Sequence, residues 1–129
     1  FILDCYNAAP SGMQCAIRSL NDSGPGGRLV IVLADMLELG DHAESEHDSL
    51  IPLLIQARPA MFLGLGEHCT ELAGRLENMG IQACGYGFDR QAIVAALAAN
   101  LEPGDRVFFK GSHGFELEAI ARSIIPDLD

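Results

Sequence analysis

A chain of 129 residues, 49% apolar and 20% charged, has the length of one domain with its own core and is too apolar to persist as a disordered tail. Eighteen Asp plus Glu against eight Lys plus Arg leave a net charge of −10, the wrong sign for neutralising nucleic-acid phosphates or docking on an anionic membrane. The longest apolar runs, Leu29 to Ala34 and Ala92 to Ala99, fall well short of the roughly 18–20 residues of a bilayer span, so membrane insertion is not expected.

The chain opens on Phe1-Ile2-Leu3, a short apolar strand with no initiator Met, basic leader or cleavage site before it. That start is expected of a piece cut from a longer, cytoplasmic protein. The loop that follows, Asp4 to Gly12, crowds an acid, a phenol and an amide (Asp4, Tyr6, Asn7) behind the strand, either to hold a polar ligand or simply to turn the chain and cap the next helix. Met13, Ile17 and Leu20 then recur at helical spacing, and Gly24-Pro25-Gly26-Gly27 forces a turn.

Leu29 to Leu33 is a continuous apolar strand of the kind covered on both faces. Behind it, the loop Ala34 to His42 opens a segment rich in acids, with Asp35, Glu38, Asp41, Glu44, Glu46 and Asp48 but no Lys or Arg. His42 and His47 lie five apart, roughly 140° around a helix, so they do not chelate one ion as an i, i+4 pair does. The segment reads as a solvated helix start whose acids complement the helix dipole, and no metal is expected.

Leu50, Leu53 and Leu54 mark the next helix, and Ala60 to Leu65 the third strand. Gly64-Leu65-Gly66-Glu67-His68-Cys69 sits where a dinucleotide fingerprint would, but Cys69 takes the third glycine position, so a tight turn is expected. Leu72 and Leu76 follow on a helix, Gly80 to Tyr86 on a strand, and Ile93, Leu97 and Leu101 on another helix. The final unit is a strand from Arg106 to Phe109, a loop from Lys110 to Gly114, and a helix carrying Leu117, Ile120 and Ile124. A lysine ending a strand, with a flexible Gly111, a hydroxyl and an imidazole at a helix start, suits an anionic group, or else is a capped helix beside a solvated lysine. Neither a Walker A sequence nor a GxSxG elbow is present. The cysteines (Cys5, Cys15, Cys69, Cys84) have no metal-like spacing and are expected to be reduced core thiols.

Five β-then-α units predict an α/β fold, a Rossmann-like open, mostly parallel sheet with helices on both faces. In such sheets ligands bind beyond the carboxyl ends of the strands, so the chemistry belongs in the βα loops.

Three of those loops resemble the C-terminal domain of the Mur ligases. The family's first loop reads Asp-x-Tyr-Asn-Ala-Asn-Pro with Ser-Met shortly after, against Asp4-Cys5-Tyr6-Asn7-Ala8-Ala9-Pro10 and Gly12-Met13. Its second reads Gly-Asp-Met-x-Glu-Leu-Gly with a His downstream, against Ala34-Asp35-Met36-Leu37-Glu38-Leu39-Gly40 and His47. Its third reads Lys-Gly-Ser-Arg, against Lys110-Gly111-Ser112-His113. The departures are Ala9 for Asn, Gly12 for Ser, Ala34 for Gly and His113 for Arg. The resemblance is greatest to the branch that adds D-alanyl-D-alanine to UDP-N-acetylmuramoyl-tripeptide in cell-wall peptidoglycan synthesis.

The resemblance implies that residues 1–129 are the third, Rossmann-like domain of an ATP-dependent amide ligase whose sugar-binding and central ATP-binding domains lie outside this chain. It further implies that Tyr6 and Asn7 face the nucleotide, that Asp35 reaches its ribose, and that Lys110, Gly111, Ser112 and His113 hold the incoming dipeptide. ATP and Mg²⁺ would belong to the full-length enzyme, and this domain alone would hold neither, carry no catalytic residue and be inactive. The residues leave two other readings open: a non-catalytic binding or regulatory module of the same fold, and a ligase of the same superfamily with another amino-acid substrate.

Overall fold

The computed structural model describes residues 2–4, 10–20, 27–37, 39–111 and 117–124. Five strands, β1 (Ile2–Asp4), β2 (Leu29–Ala34), β3 (Met61–Leu65), β4 (Ala83–Gly85) and β5 (Arg106–Lys110), form one sheet in the order β1-β5-β2-β3-β4. Every neighbouring pair is parallel. The expected alternation holds, with α1 (Pro10–Ser19), α4 (Glu67–Asn78), α5 (Arg90–Asn100) and α6 (Leu117–Ile124) each following its strand. The second crossover differs from the single helix expected: a 3-10 turn (Gly40–His42) leads into two short helices, α2 (Ala43–Asp48) and α3 (Ile51–Ala57).

The period of two along the strands sorts the core into two layers. Leu29, Ile31 and Leu33 of β2, with Phe62 and Phe108, pack against Met13 and Ile17 of α1, Leu50 and Leu54 at α3, and Leu72 and Leu76 of α4. Val30, Val32 and Ala34 point the other way, joining Leu63, Leu65, Val107 and Phe109 against Ile93 and Leu97 of α5 and Ile120 of α6. The helices that carry the chain from β1 towards β4 therefore share one face, whereas α5, which brings it back to β5, lies on the opposite face. A uniform crossover hand demands that division.

Local chemistry ends these elements where the packing needs it. The side chain of Asp89 caps α5 by accepting the Ala92 N–H at 3.1 Å. Arg58 closes α3 in the left-handed region, just before Pro59. At the amino edge of the sheet, Arg28 grips both carboxylate oxygens of Asp105 (3.1 and 2.8 Å) and the Asn100 carbonyl (2.9 Å). Among the described residues, no helix is long and apolar enough to cross a membrane.

Candidate functional site

The strand order assembles what the sequence keeps apart. β5 lies between β1 and β2, with Lys110 opposite Asp4 on one side and Leu33 on the other. The three motif loops, which start near residues 5, 35 and 111, therefore leave the carboxyl ends of three adjacent strands. The helices after β1 and β2 lie on one face of the sheet and α6, after β5, lies on the other. The helices thus part to opposite faces on either side of β5, the topological position at which open α/β sheets form a ligand crevice.

At the β2 side of this crevice Asp35 is buried, and its carboxylate accepts the backbone N–H groups of His68 (3.0 Å) and Cys69 (2.7 Å). These are orphan donors of the first turn of α4, so a residue from the neighbouring loop caps that helix in place of Gly66, which has no side chain. Gly66 has φ +102° and ψ 172°, a region essentially closed to other residues, and a Cβ there would lie 2.5 Å from the Asp35 carboxyl carbon. A Cβ on Gly64 would fall on the Cys69 carbonyl. The expected tight turn falls on Gly66 alone, since Gly64 still pairs within β3, and the anion at the helix N-terminus is the protein's own carboxylate.

His47 completes the junction. Its Nε2 accepts the Met36 N–H (2.9 Å) and its Nδ1–H donates to the Ala43 carbonyl (2.6 Å). An amide N–H only donates and a carbonyl only accepts, so these partners specify the neutral Nδ1–H tautomer. The ring also stacks on His68, with centroids 4.7 Å apart and planes 16° from parallel. A solvated helix start was the expectation for this segment, and His47 corrects it, being 2% exposed. One signal was available, since His47, Leu50 and Leu54 lie three and four residues apart, a helical spacing, and all are buried. The acids nearby fit the expectation better: Glu44 is exposed, and Asp48 pairs with Arg75 of α4 at 2.5 Å.

Ligand atoms of Asp35, His47 and Cys69 lie within 4.8 Å of one another, a spacing that invites comparison with a cation site. The donor chemistry argues for a hydrogen-bond junction instead. Both imidazole nitrogens already serve the backbone. Burial, followed by the adjacent Asp35 charge, pushes the Cys69 thiol well above its usual range, away from the thiolate a metal would need. Cys15 and Cys84 are exposed, correcting the expectation that they are core thiols. Cys84 lies on edge strand β4 near Tyr86, whose phenol is pushed up to about 12 by burial and by its hydrogen bond with Cys84.

Of the residues singled out for the third loop, Lys110 ends β5 and is 3% exposed, which corrects the reading of a solvated lysine. Gly111 is buried beside Ala34, and a Cβ on it would lie 2.5 Å from the Ala34 Cβ. Ala34, where the resembling family has Gly, is fully buried in the layer beneath, so its methyl group fills space next to Gly111. Tyr6, Asn7, Ser112 and His113 lie outside the described residues, as does Cys5.

Residues 1–113 match the family described as Mur ligase, glutamate ligase domain. The chain is 30% identical over 125 residues to the UDP-N-acetylmuramoyl-tripeptide–D-alanyl-D-alanine ligase of Bacillus subtilis, covering 96% of this chain and 27% of that protein. It is 34% identical over 125 residues to the ligase of the same name from Treponema pallidum, covering 93% and 26%. The chain thus spans about a quarter of the length of these curated relatives. Its fold is similar to that of MurF from Acinetobacter baumannii (TM-score 0.71, 23% identity, covering 95% of this chain and 27% of that one). It is also similar to MurF ligase from Thermotoga maritima in complex with ADP (TM-score 0.67, 24% identity, covering 93% and 26%).

Proposed function

The chain belongs to the Mur ligase family of ATP-dependent amide ligases, and we propose that it is the C-terminal domain of the enzyme that joins D-alanyl-D-alanine to UDP-N-acetylmuramoyl-tripeptide in the cytoplasm. The observation that carries this reading is that the three motif loops follow the carboxyl ends of β1, β5 and β2, strands that are neighbours only in space. On this reading the domains that bind the UDP-sugar and ATP with Mg²⁺ lie outside the chain.

The residues present fit a nucleotide at one point in particular. A carboxylate offers about four acceptor sites, and Asp35 commits two to the backbone of α4. Its remaining capacity suits a ribose hydroxyl. The N-terminus of α4 already holds that carboxylate, so the nucleotide's phosphates belong elsewhere, in keeping with a P-loop in another domain. Tyr6 and Asn7, from the loop after β1, face the same nucleotide on this reading. When bound, ATP supplies the phosphoryl group that activates the tripeptide carboxylate for attack by the amine of the incoming dipeptide.

Lys110, Gly111, Ser112 and His113 would receive the carboxylate of that dipeptide. Lys110 brings a positive charge to the mouth of the crevice, and the bare Gly111 lets the backbone approach. The family's Arg is His113 here, and an unperturbed histidine is mostly neutral near pH 7, so Lys110 carries more of the anchoring. The burial of Ala34 also bears on the alternative of a non-catalytic module, because its methyl group packs inside the sheet layer.

In the full-length protein, Lys110→Ala is expected to raise the KM for D-alanyl-D-alanine at least tenfold, about 1.4 kcal/mol, with the KM for ATP little changed. Lys110→Met, which keeps the buried stem, controls for packing and should show the same KM effect with a smaller loss of thermal stability. A fall in ATP affinity with an unchanged dipeptide KM would make the third loop a nucleotide site instead.

A further inference from the structure

The last rung between β2 and β3 beyond the paired strands is the bond from the Asp35 N–H to the Leu65 carbonyl (3.1 Å), and the next amide, Met36 N–H, has no strand to meet because the pairing of β2 with β5 has ended at Leu33. His47, eleven residues later, supplies the missing acceptor at 2.9 Å. A buried amide left without an acceptor is costly, so this bond determines where the chain leaves the sheet. The same ring stacks on His68, one of the two residues whose backbone N–H groups hold the Asp35 carboxylate. The imidazole therefore braces the loop on its backbone side and the start of α4 on its other side, with Asp35 between them.

We propose that His47 is a positioning residue that holds the Asp35-Met36 segment in its ligand-facing shape, acting as a neutral Nδ1–H imidazole strut between Ala43 O and Met36 N. Its consequence for ligand binding rests on the reading of Asp35 as nucleotide-facing; its effect on the loop does not. The strut depends on the ring presenting one donor and one acceptor in a fixed order. A second N–H on Nε2 would set two donors against each other at Met36.

The tautomer and exchange measurements use the 129-residue chain, and the nucleotide titration uses the full-length protein. Long-range ¹H–¹⁵N spectra of the wild type should show His47 protonated on Nδ1 and unprotonated on Nε2, a reading that needs no variant. His47→Gln returns an acceptor near the Nε2 position, whereas His47→Asn is too short to reach Met36. Exchange of the Met36 amide should be at least tenfold faster in His47→Asn than in the wild type, and in His47→Gln within about threefold of the wild type. ADP titrated into the full-length protein should shift the amides of residues 35–37, at least fivefold more weakly in His47→Asn and with recovery in His47→Gln. An Nε2–H tautomer, or unchanged Met36 exchange in His47→Asn, overturns the strut. Faster exchange with undiminished ADP affinity overturns the positioning role and leaves a purely structural bond. If ADP shifts none of these amides in the wild type, the nucleotide-facing reading of Asp35 fails, while tautomer and exchange still decide whether His47 holds the loop.

Discussion

The two edges of the sheet handle polar groups in opposite ways. At the amino edge, Arg28 and Asp105 form a bidentate ion pair in which the Arg28 side chain is 41% exposed while that of Asp105 is 4% exposed, and neighbouring Glu102 adds a looser contact at 3.4 Å. At the carboxyl edge, Asp35 and His47 are buried and satisfied mainly by backbone groups of other segments. Among the described residues, no buried side-chain nitrogen or oxygen lacks a partner. An ion pair with its cation at the surface tolerates change better, because water reaches the guanidinium when the partner is lost. A buried junction does not, since each lost bond strands a group where water cannot reach it. The difference teaches that the carboxyl edge is the part of this sheet organised for fixed geometry, which a binding crevice needs.

Substitutions should separate the edges, beginning with Gly66→Ala. A methyl group there must adopt a backbone region reserved for glycine and displace the Asp35 carboxylate. A loss of about 4 kcal/mol is expected, combining backbone strain with the broken α4 cap. Urea unfolding measures it, and a loss under 1 kcal/mol would show that Asp35 does not need its present position. Thiol labelling comes next. Buried and held protonated, Cys69 should react with iodoacetamide at least about a hundredfold more slowly than exposed Cys15 and Cys84, as for a thiolate that forms only on opening. Site-resolved mass spectrometry reads this, and comparable rates would mean that the junction opens readily.

Asp35→Asn sets an amide donor against one of the two α4 N–H groups. It should cost about 2 kcal/mol, the scale of a hydrogen bond to a charged group, with amide exchange quickened at His68 and Cys69. Exchange quickened evenly through the sheet would argue against a local cap. Asp105→Asn should have the smallest effect. The hydrogen bonds from Arg28 and from the Glu102 backbone hold the Asp105 carboxyl below the usual carboxylate range. Its stabilisation is therefore present above the unfolded-state value, about 3.9, and is lost as pH falls through the lower folded value. The variant should show a shallower fall in Tm below about pH 4 and, at pH 7, a smaller change than either carboxyl-edge variant. A larger loss at pH 7 than that of Asp35→Asn would reverse the contrast between the edges.

Local pattern alone determined the alternation of strands and helices, the parallel class of the sheet and the tight turn at Gly66. These follow from periodicities of two and 3.6 and from glycine's backbone freedom, properties that act over a few residues. The short stretch Gly80 to Tyr86 shows the limit: only Ala83–Gly85 forms a strand, with Gln82 and Tyr86 each adding one backbone bond to β3, because strand length depends on the neighbour as well as on the segment. Tertiary structure alone decided that β5 sits between β1 and β2, bringing Lys110 within one strand of both other motif loops. It also decided that His47, amid acids that suggested solvent, turns inward to serve Met36. Both outcomes depend on which distant segments pair, and a sequence read locally does not contain the partner on whose presence burial and hydrogen bonding depend.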